Sequence, residues 1–136
     1  MRKRAVAEIV IGVLYAIGAG DQALNTLRHS QDFYNDMADQ AWIRPAEALV
    51  DKLFVPNSVT VTVLLVVFQA ALAIAILTRG AAVRPALVAG GVFSIVGALT
   101  GNPAETIGFG VLAVIHFRLA SARQEVKTGG DPASVT

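Results

Sequence analysis

The sequence predicts an all-α, polytopic membrane protein: four transmembrane helices in a bundle, with a short amphipathic extracytoplasmic segment between helices 1 and 2. Three observations predict it. The stretch Val59–Leu77, VTVTVLLVVFQAALAIAIL, has no charge, Pro or Gly. As a helix it extends about 28 Å, close to the hydrocarbon thickness of a bilayer. Three further apolar stretches of similar length flank it, and the chain is 54% hydrophobic with only 15% charged residues, where soluble domains carry about 25% charge. Finally, the basic residues bunch at alternate ends of these stretches, as membrane topology requires. We read residues 1–127 as a single transmembrane domain with spans at about 5–25, 58–78, 82–100 and 103–120, and residues 128–136 as a disordered cytoplasmic tail.

The first span follows MRKR and runs from Ala5 to about Leu24. A signal peptide begins the same way, but this run is long and no small-residue cleavage pattern follows it cleanly, so we read a retained span. Arg2, Lys3 and Arg4 hold the N-terminus in the cytoplasm. Glu8, about one turn in, has Arg4 as an i,i+4 partner and headgroups within reach. Gly12, Ala16 and Gly20 recur every fourth residue, a small-residue stripe on which another helix can pack closely. The outer end turns polar. Asp21, Asn25 and His29 are spaced by four and share one face if the helix continues. They mark a helix emerging into water, or a polar pocket at the outer mouth of the bundle, where an ionisable residue is a functional candidate.

Residues 30–57 form the one long connection, acidic through Asp32, Asp36, Asp39, Glu47 and Asp51. Phe33, Met37 and Ala41 recur by four, and Ile43, Ala46, Leu49/Val50 and Leu53/Phe54 carry a helical stripe past Pro45. Pro45 suits a first helical position, with Glu47 in the first turn. Tyr34 and Trp42 are aromatic types that settle at headgroup level. One or two short amphipathic helices on the outer surface are expected, as a connector or as a lid over Asp21.

The second span starts at Pro56-Asn57-Ser58, where Asn or Ser supplies the N-cap. Gln69 sits near its middle, where an amide bonds a neighbouring helix or a ligand. Arg79 and Arg84 make the next turn basic and therefore cytoplasmic. The third span, about Val83–Leu99, carries Gly90, Gly91, Ser94 and Gly97. With the Gly97/Gly101 GxxxG pair it is expected to be the closest-packed helix. Asn102-Pro103-Ala104-Glu105 reads as a capping box opening the fourth span. Arg118, Arg123 and Lys127 return the chain to the cytoplasmic side.

Several chemistries are excluded. With no Cys there is no disulfide, thiolate metal site or CxxC redox centre. His29 and His116 lie most of a bilayer apart, so one chain cannot ligate a haem with both; His116, beside Arg118, reads as interfacial. No HExxH, paired-His or GxSxG pattern is present, and no nucleophile–base pair can be drawn, so neither a metal site nor an enzyme is expected. The basic residues are few and explained by topology, which argues against nucleic acid. A proton-coupled transporter is disfavoured, because neither Glu8 nor Asp21 lies at the midplane and no inverted repeat is visible.

The first span, GVLYAIGAGDQAL, and the second span with its turn, VVFQAALAIAILTRGAAVRPAL, resemble the DoxX-like family of small four-helix membrane proteins. The chain departs from that family at Gln69, where many members carry Glu. The resemblance implies an association with quinone-linked membrane redox complexes, as in thiosulfate:quinone oxidoreductase subunits. A quinone is the only cofactor it brings in.

Two functional expectations follow. One is a non-catalytic accessory or structural subunit of a plasma-membrane complex, working through helix packing in the bilayer as a homo-oligomer or beside a redox enzyme. The other is a binding or transport protein for a lipid-like or quinone-like molecule. Its candidate residues are Asp21, Asn25 and Glu105 on the outer side of the bundle, with Gln69 as the floor.

Overall fold

A segment as apolar as Ser58–Leu77 has no water to satisfy its backbone once lipid surrounds it, and coiling into a helix bonds every interior N–H and C=O within the segment. The computed structural model describes residues 2–128, with side chains as far as Gln124. Its helices are α1 (Arg2–Leu24), α2 (Ser30–Gln40), α3 (Arg44–Leu49), α4 (Ser58–Leu77), α5 (Val83–Thr100) and α6 (Pro103–Thr128). A 3-10 turn (Thr26–His29) precedes α2, and a π turn (Val50–Phe54) follows α3. Helices α1, α4, α5 and α6 are long and apolar enough to cross a membrane. Their outward faces are rich in large apolar side chains, such as Ile17, Leu64, Val67, Ile74 and Ile107. Such a surface suits lipid and not water. The protein is a small multi-pass integral membrane protein.

The helices pack as two close pairs, α1 against α4 and α5 against α6, and the pairs meet chiefly through α4 and α5. The main core is built from Ile11, Tyr15, Leu72, Ala73, Ile76, Val83, Ala86, Leu87 and Ala120. The ridge that α1 buries is Glu8, Ile11, Gly12, Tyr15 and Ala19, spaced three and four apart. Of the Gly12, Ala16 and Gly20 stripe, only Gly12 makes a close approach: a Cβ there would lie 2.8 Å from the Leu77 side chain, whereas nothing lies within 4 Å of one at Gly20. Ala16 is exposed. The stripe expected from small residues thus turns partly outward, because the helix buries its larger side chains instead.

Helix α5 is the most buried of the four candidate spans. A Cβ at Gly97 would meet the Phe109 ring at 3.1 Å, so the absent side chain lets α6 approach. The capping box is formed: Asn102 N–H donates to Glu105 Oε2 at 3.1 Å, and Glu105 N–H donates to Asn102 Oδ1 at 3.0 Å. Asn57 does occupy the N-cap position of α4, but its side chain bonds back to the Leu53 carbonyl and not forward to the helix. Helix α6 runs well past the expected end at 120, because Ala120 is still core and Arg123 turns inward. The tail expected over 128–136 lies, apart from Thr128, outside the described residues.

Arg4 donates to the Ala122 carbonyl at 3.0 Å, so the start of α1 and the last turns of α6 share one end of the bundle with the α4–α5 turn. The segment between α1 and α4 folds over the opposite end. There Tyr34, Ala38 and Val50 form a second small core with Met37, Phe54, Val55 and Val61. Two hydroxyl pairs tie this cap to α4: Ser30 with Ser58 at 3.1 Å, and Tyr34 with Thr62 at 3.2 Å. Trp42 Nε1–H donates to Thr106 Oγ1 at 3.0 Å and ties it to α6. Tyr34, expected at headgroup level, is instead only 1% exposed. The face α2 buries is Ser30, Tyr34 and Ala38, one residue round from the Phe33/Met37 stripe.

Candidate functional site

Where the cap meets the bundle its side chains do not fill the space. A cavity of about 270 Å³ remains there. The cap contributes Phe33, Tyr34 and Met37 from α2 and Phe54 from the π turn; the bundle contributes Val61 and Leu65 of α4, Phe93 of α5 and Phe109 of α6. Tyr34 stacks edge-on against both Phe33 and Phe54, with centroids 5.2 and 5.6 Å apart. Aromatic rings and a flexible thioether make a wall suited to a flat apolar ligand. π turns recur at functional sites, and this one places Phe54 in the wall.

The polar groups around the cavity are Gln22, Thr100 and Glu105. The Thr100 hydroxyl is occupied by the Val96 carbonyl at 3.0 Å, and one Glu105 oxygen is held by its capping bond. Gln22 differs: its Oε1 is buried and has no hydrogen-bond partner among the described residues. A buried amide oxygen without a donor costs about 1–3 kcal/mol, so a rotation of the Gln22 side chain that brought it to a donor in the cavity would be favoured. Burial raises the pKa of Tyr34, partly offset by its hydrogen bond to Thr62, so its phenol stays neutral.

Of the four residues singled out from the sequence, only Glu105 lines this cavity. Asp21 and Asn25 are exposed and bond to each other, Nδ2–H to Oδ1 at 2.7 Å. His29 does not extend their face as one continuous helix would, because the chain tightens to a 3-10 turn after Asn25. Gln69 is buried against Gly18 of α1 and makes no side-chain hydrogen bond among the described residues. The four therefore do not converge. Adjacent helical residues point about 100° apart, so Gln22 turns to the cavity while Asp21 turns away. The signal was present: Gln22 continues the buried series Ile11, Tyr15, Ala19 in steps of three and four. The cap aromatics carried no such signal, because their register on the bundle depends on the fold of the connection.

Two buried polar groups take partners from distant helices; of these contacts only Glu8 with Arg4 is expected from the sequence. Glu8 is 1% exposed and does not reach outward. It accepts from Arg4 Nε at 3.2 Å and from Arg123 Nε and NH2 at 2.8 and 2.6 Å. His116, expected at the interface, is 2% exposed within α6. Its Nδ1 lies 2.7 Å from the Leu112 carbonyl and its Nε2 lies 2.9 Å from the Tyr15 hydroxyl. A carbonyl only accepts, so Nδ1 carries the proton and, in the neutral ring, Nε2 accepts from Tyr15. Gly90 makes room for this pair, since a Cβ there would lie 2.5 Å from Tyr15 OH. Both groups are satisfied and hold helices together. Neither opens on the cavity.

No family model, no curated protein and no solved structure matches the chain.

Proposed function

We propose that this membrane protein binds a lipid-like or quinone-like small molecule in the cavity between the cap and the bundle. The observation that carries the reading is a largely apolar, aromatic-walled space lined in part by Gln22, whose amide oxygen has no partner among the described residues. A cavity of about 150 Å³ accommodates benzene, so 270 Å³ takes a substituted ring. Turned over, the Gln22 amide offers a donor in place of an acceptor, so it suits a ring hydroxyl or a ring carbonyl. Glu105 stands at the rim. The cap contributes a full side of the site, which makes it a lid as well as a connector.

The charge layout supports a plasma-membrane orientation with both termini in the cytoplasm. Arg2, Lys3, Arg4, Arg79, Arg84, Arg118, Arg123 and Lys127 belong to one side, and only Arg28, Arg44 and Lys52 to the other. The cavity then opens toward the extracytoplasmic leaflet. The DoxX-like resemblance points to the same ligand class but, with no family match, adds no weight of its own.

The single tryptophan supplies the test. Trp42 is bonded to Thr106, next to Glu105, so a ring ligand in the cavity sits near it. A short-chain benzoquinone should quench its fluorescence saturably, and Val61→Phe, which fills the cavity, should abolish saturation. Linear quenching that is identical in both proteins removes the reading. A second reading, an accessory subunit in a larger complex or homo-oligomer, is favoured by the lipid-facing groove along α1 and α4 lined by Ala16, Ala19, Ala70 and Ala73. Small residues there admit a further helix. Stoichiometric co-elution with a larger complex from native membranes supports it, and elution as a lone monomer does not.

A further inference from the structure

At the end of the bundle away from the cap lies a separate recess of about 280 Å³, between the start of α1, the α4–α5 turn and the last turns of α6. Three arginines, Arg4, Arg84 and Arg123, line it from three different helices, together with Gly80 and Ala81 of the α4–α5 turn. Like charges gathered in a concavity repel unless an anion sits among them. Glu8 neutralises one of them, held by Arg4 and Arg123. Arg84 is bonded to the neutral amide of Gln124 at 2.7 Å. Among the described residues the cluster therefore keeps a surplus of positive charge.

It also keeps donors. A guanidinium carries five N–H groups. Among the described residues Arg84 uses one, on Gln124, and Arg4 and Arg123 use two each, on Glu8 and the Ala122 carbonyl. Glu8 fixes two of the three forks in place before any ligand arrives. Membrane orientation alone requires basic residues near this end; it does not require them gathered round one recess and anchored by a buried carboxylate.

We propose that this recess binds a phosphate group, as the headgroup of an anionic lipid or as the free ion. Arg forks match phosphate oxygens in pairs, and basic pockets between transmembrane helices hold anionic headgroups. The recess lies at the helix ends, the depth at which headgroups sit. The start of α5 beside Gly80 and Ala81 adds its partial positive charge. This proposal is independent of the ligand in the cavity.

The test uses the full chain, delipidated in neutral detergent, with native mass spectrometry and calorimetry. The probes are phosphatidylglycerol, phosphatidylcholine and inorganic phosphate. Retention of one phosphatidylglycerol about tenfold more tightly than phosphatidylcholine assigns the site to a lipid headgroup; binding of inorganic phosphate without that preference assigns it to the free ion. In either case Arg84→Gln should weaken binding about tenfold, the effect of losing one hydrogen bond to a charged group. Arg84 is exposed and does not touch Glu8, so the fold should survive, as circular dichroism will show. Arg79→Gln, in the adjoining α4–α5 turn but outside the recess, should leave binding unchanged. Equal retention of both lipids with no phosphate binding overturns the proposal, and so does an equal effect of Arg79→Gln and Arg84→Gln.

Discussion

Replacing Arg123 by Gln tests whether Glu8 is a buried charge held by its partners. In the native protein Glu8 is 1% exposed and, of its three side-chain hydrogen bonds among the described residues, takes two from Arg123, at 2.8 and 2.6 Å. The variant leaves the carboxylate with Arg4 alone, at 3.2 Å. Breaking a buried pair by removing one partner costs about 3–5 kcal/mol. Here the side chains of Arg4 and Arg123 are 28% and 22% exposed, so solvent screens part of the interaction. The expected cost is therefore about 2–3 kcal/mol. The double variant Glu8→Gln with Arg123→Gln removes both charges and should recover most of that loss, with a coupling energy of about 1.5–3 kcal/mol. Reversible unfolding by sodium dodecyl sulfate in mixed micelles, followed by far-ultraviolet circular dichroism, measures all four corners of the cycle. Additive effects within about 0.5 kcal/mol would mean that Glu8 is solvated by headgroups or water, and the reasoning would fall.

Three further outcomes are expected. Gly90→Ala should destabilise the bundle by about 1–3 kcal/mol through overpacking on Tyr15 and His116, whereas Gly110→Ala, with nothing within 4 Å of the new Cβ, should be neutral or gain about 0.5–1 kcal/mol of helix propensity; the same unfolding assay decides. Because burial raises the Tyr34 pKa, the folded cap binds that proton more tightly than the unfolded chain does. Stability should then be flat below about pH 10, the ordinary phenol value, and fall as pH rises above it; in Tyr34→Phe this contribution should vanish, at a cost near neutrality of about 1 kcal/mol for the lost bond to Thr62, read by the rate of proteolysis within the cap. Glu105→Ala should cost about 0.5–2 kcal/mol by removing half of the capping box, and an unchanged midpoint would show that the α5–α6 turn holds without it.

The helices and the ends of three of them were legible because each signal is local. Ser58–Leu77 announces itself by the absence of charge, and the Asn102–Glu105 box closes within four residues. Glu8 shows where local reading stops. Its i,i+4 partner Arg4 is visible in the chain, but Arg123, which takes it out of the interface, lies 115 residues away. The Tyr15–His116 bond spans 101 residues and depends on a glycine from a third helix. Likewise Asp21 drew attention for its charge, while the neutral Gln22 beside it lines the cavity.

The sequence by itself determined that the chain carries four helices fit for a bilayer, about where they begin, and at which end of each its arginines gather. Hydropathy and charge act residue by residue against a uniform solvent, so no knowledge of neighbours is needed. Only the tertiary structure decided which face of each helix is buried and how the cap sits on the bundle. It also gathered Gln22 with Phe33, Tyr34 and Phe109 round one space and three arginines round another. Those outcomes depend on side-chain volumes meeting across helices, and lipid, as apolar as the helices themselves, leaves packing and hydrogen bonding to select among them.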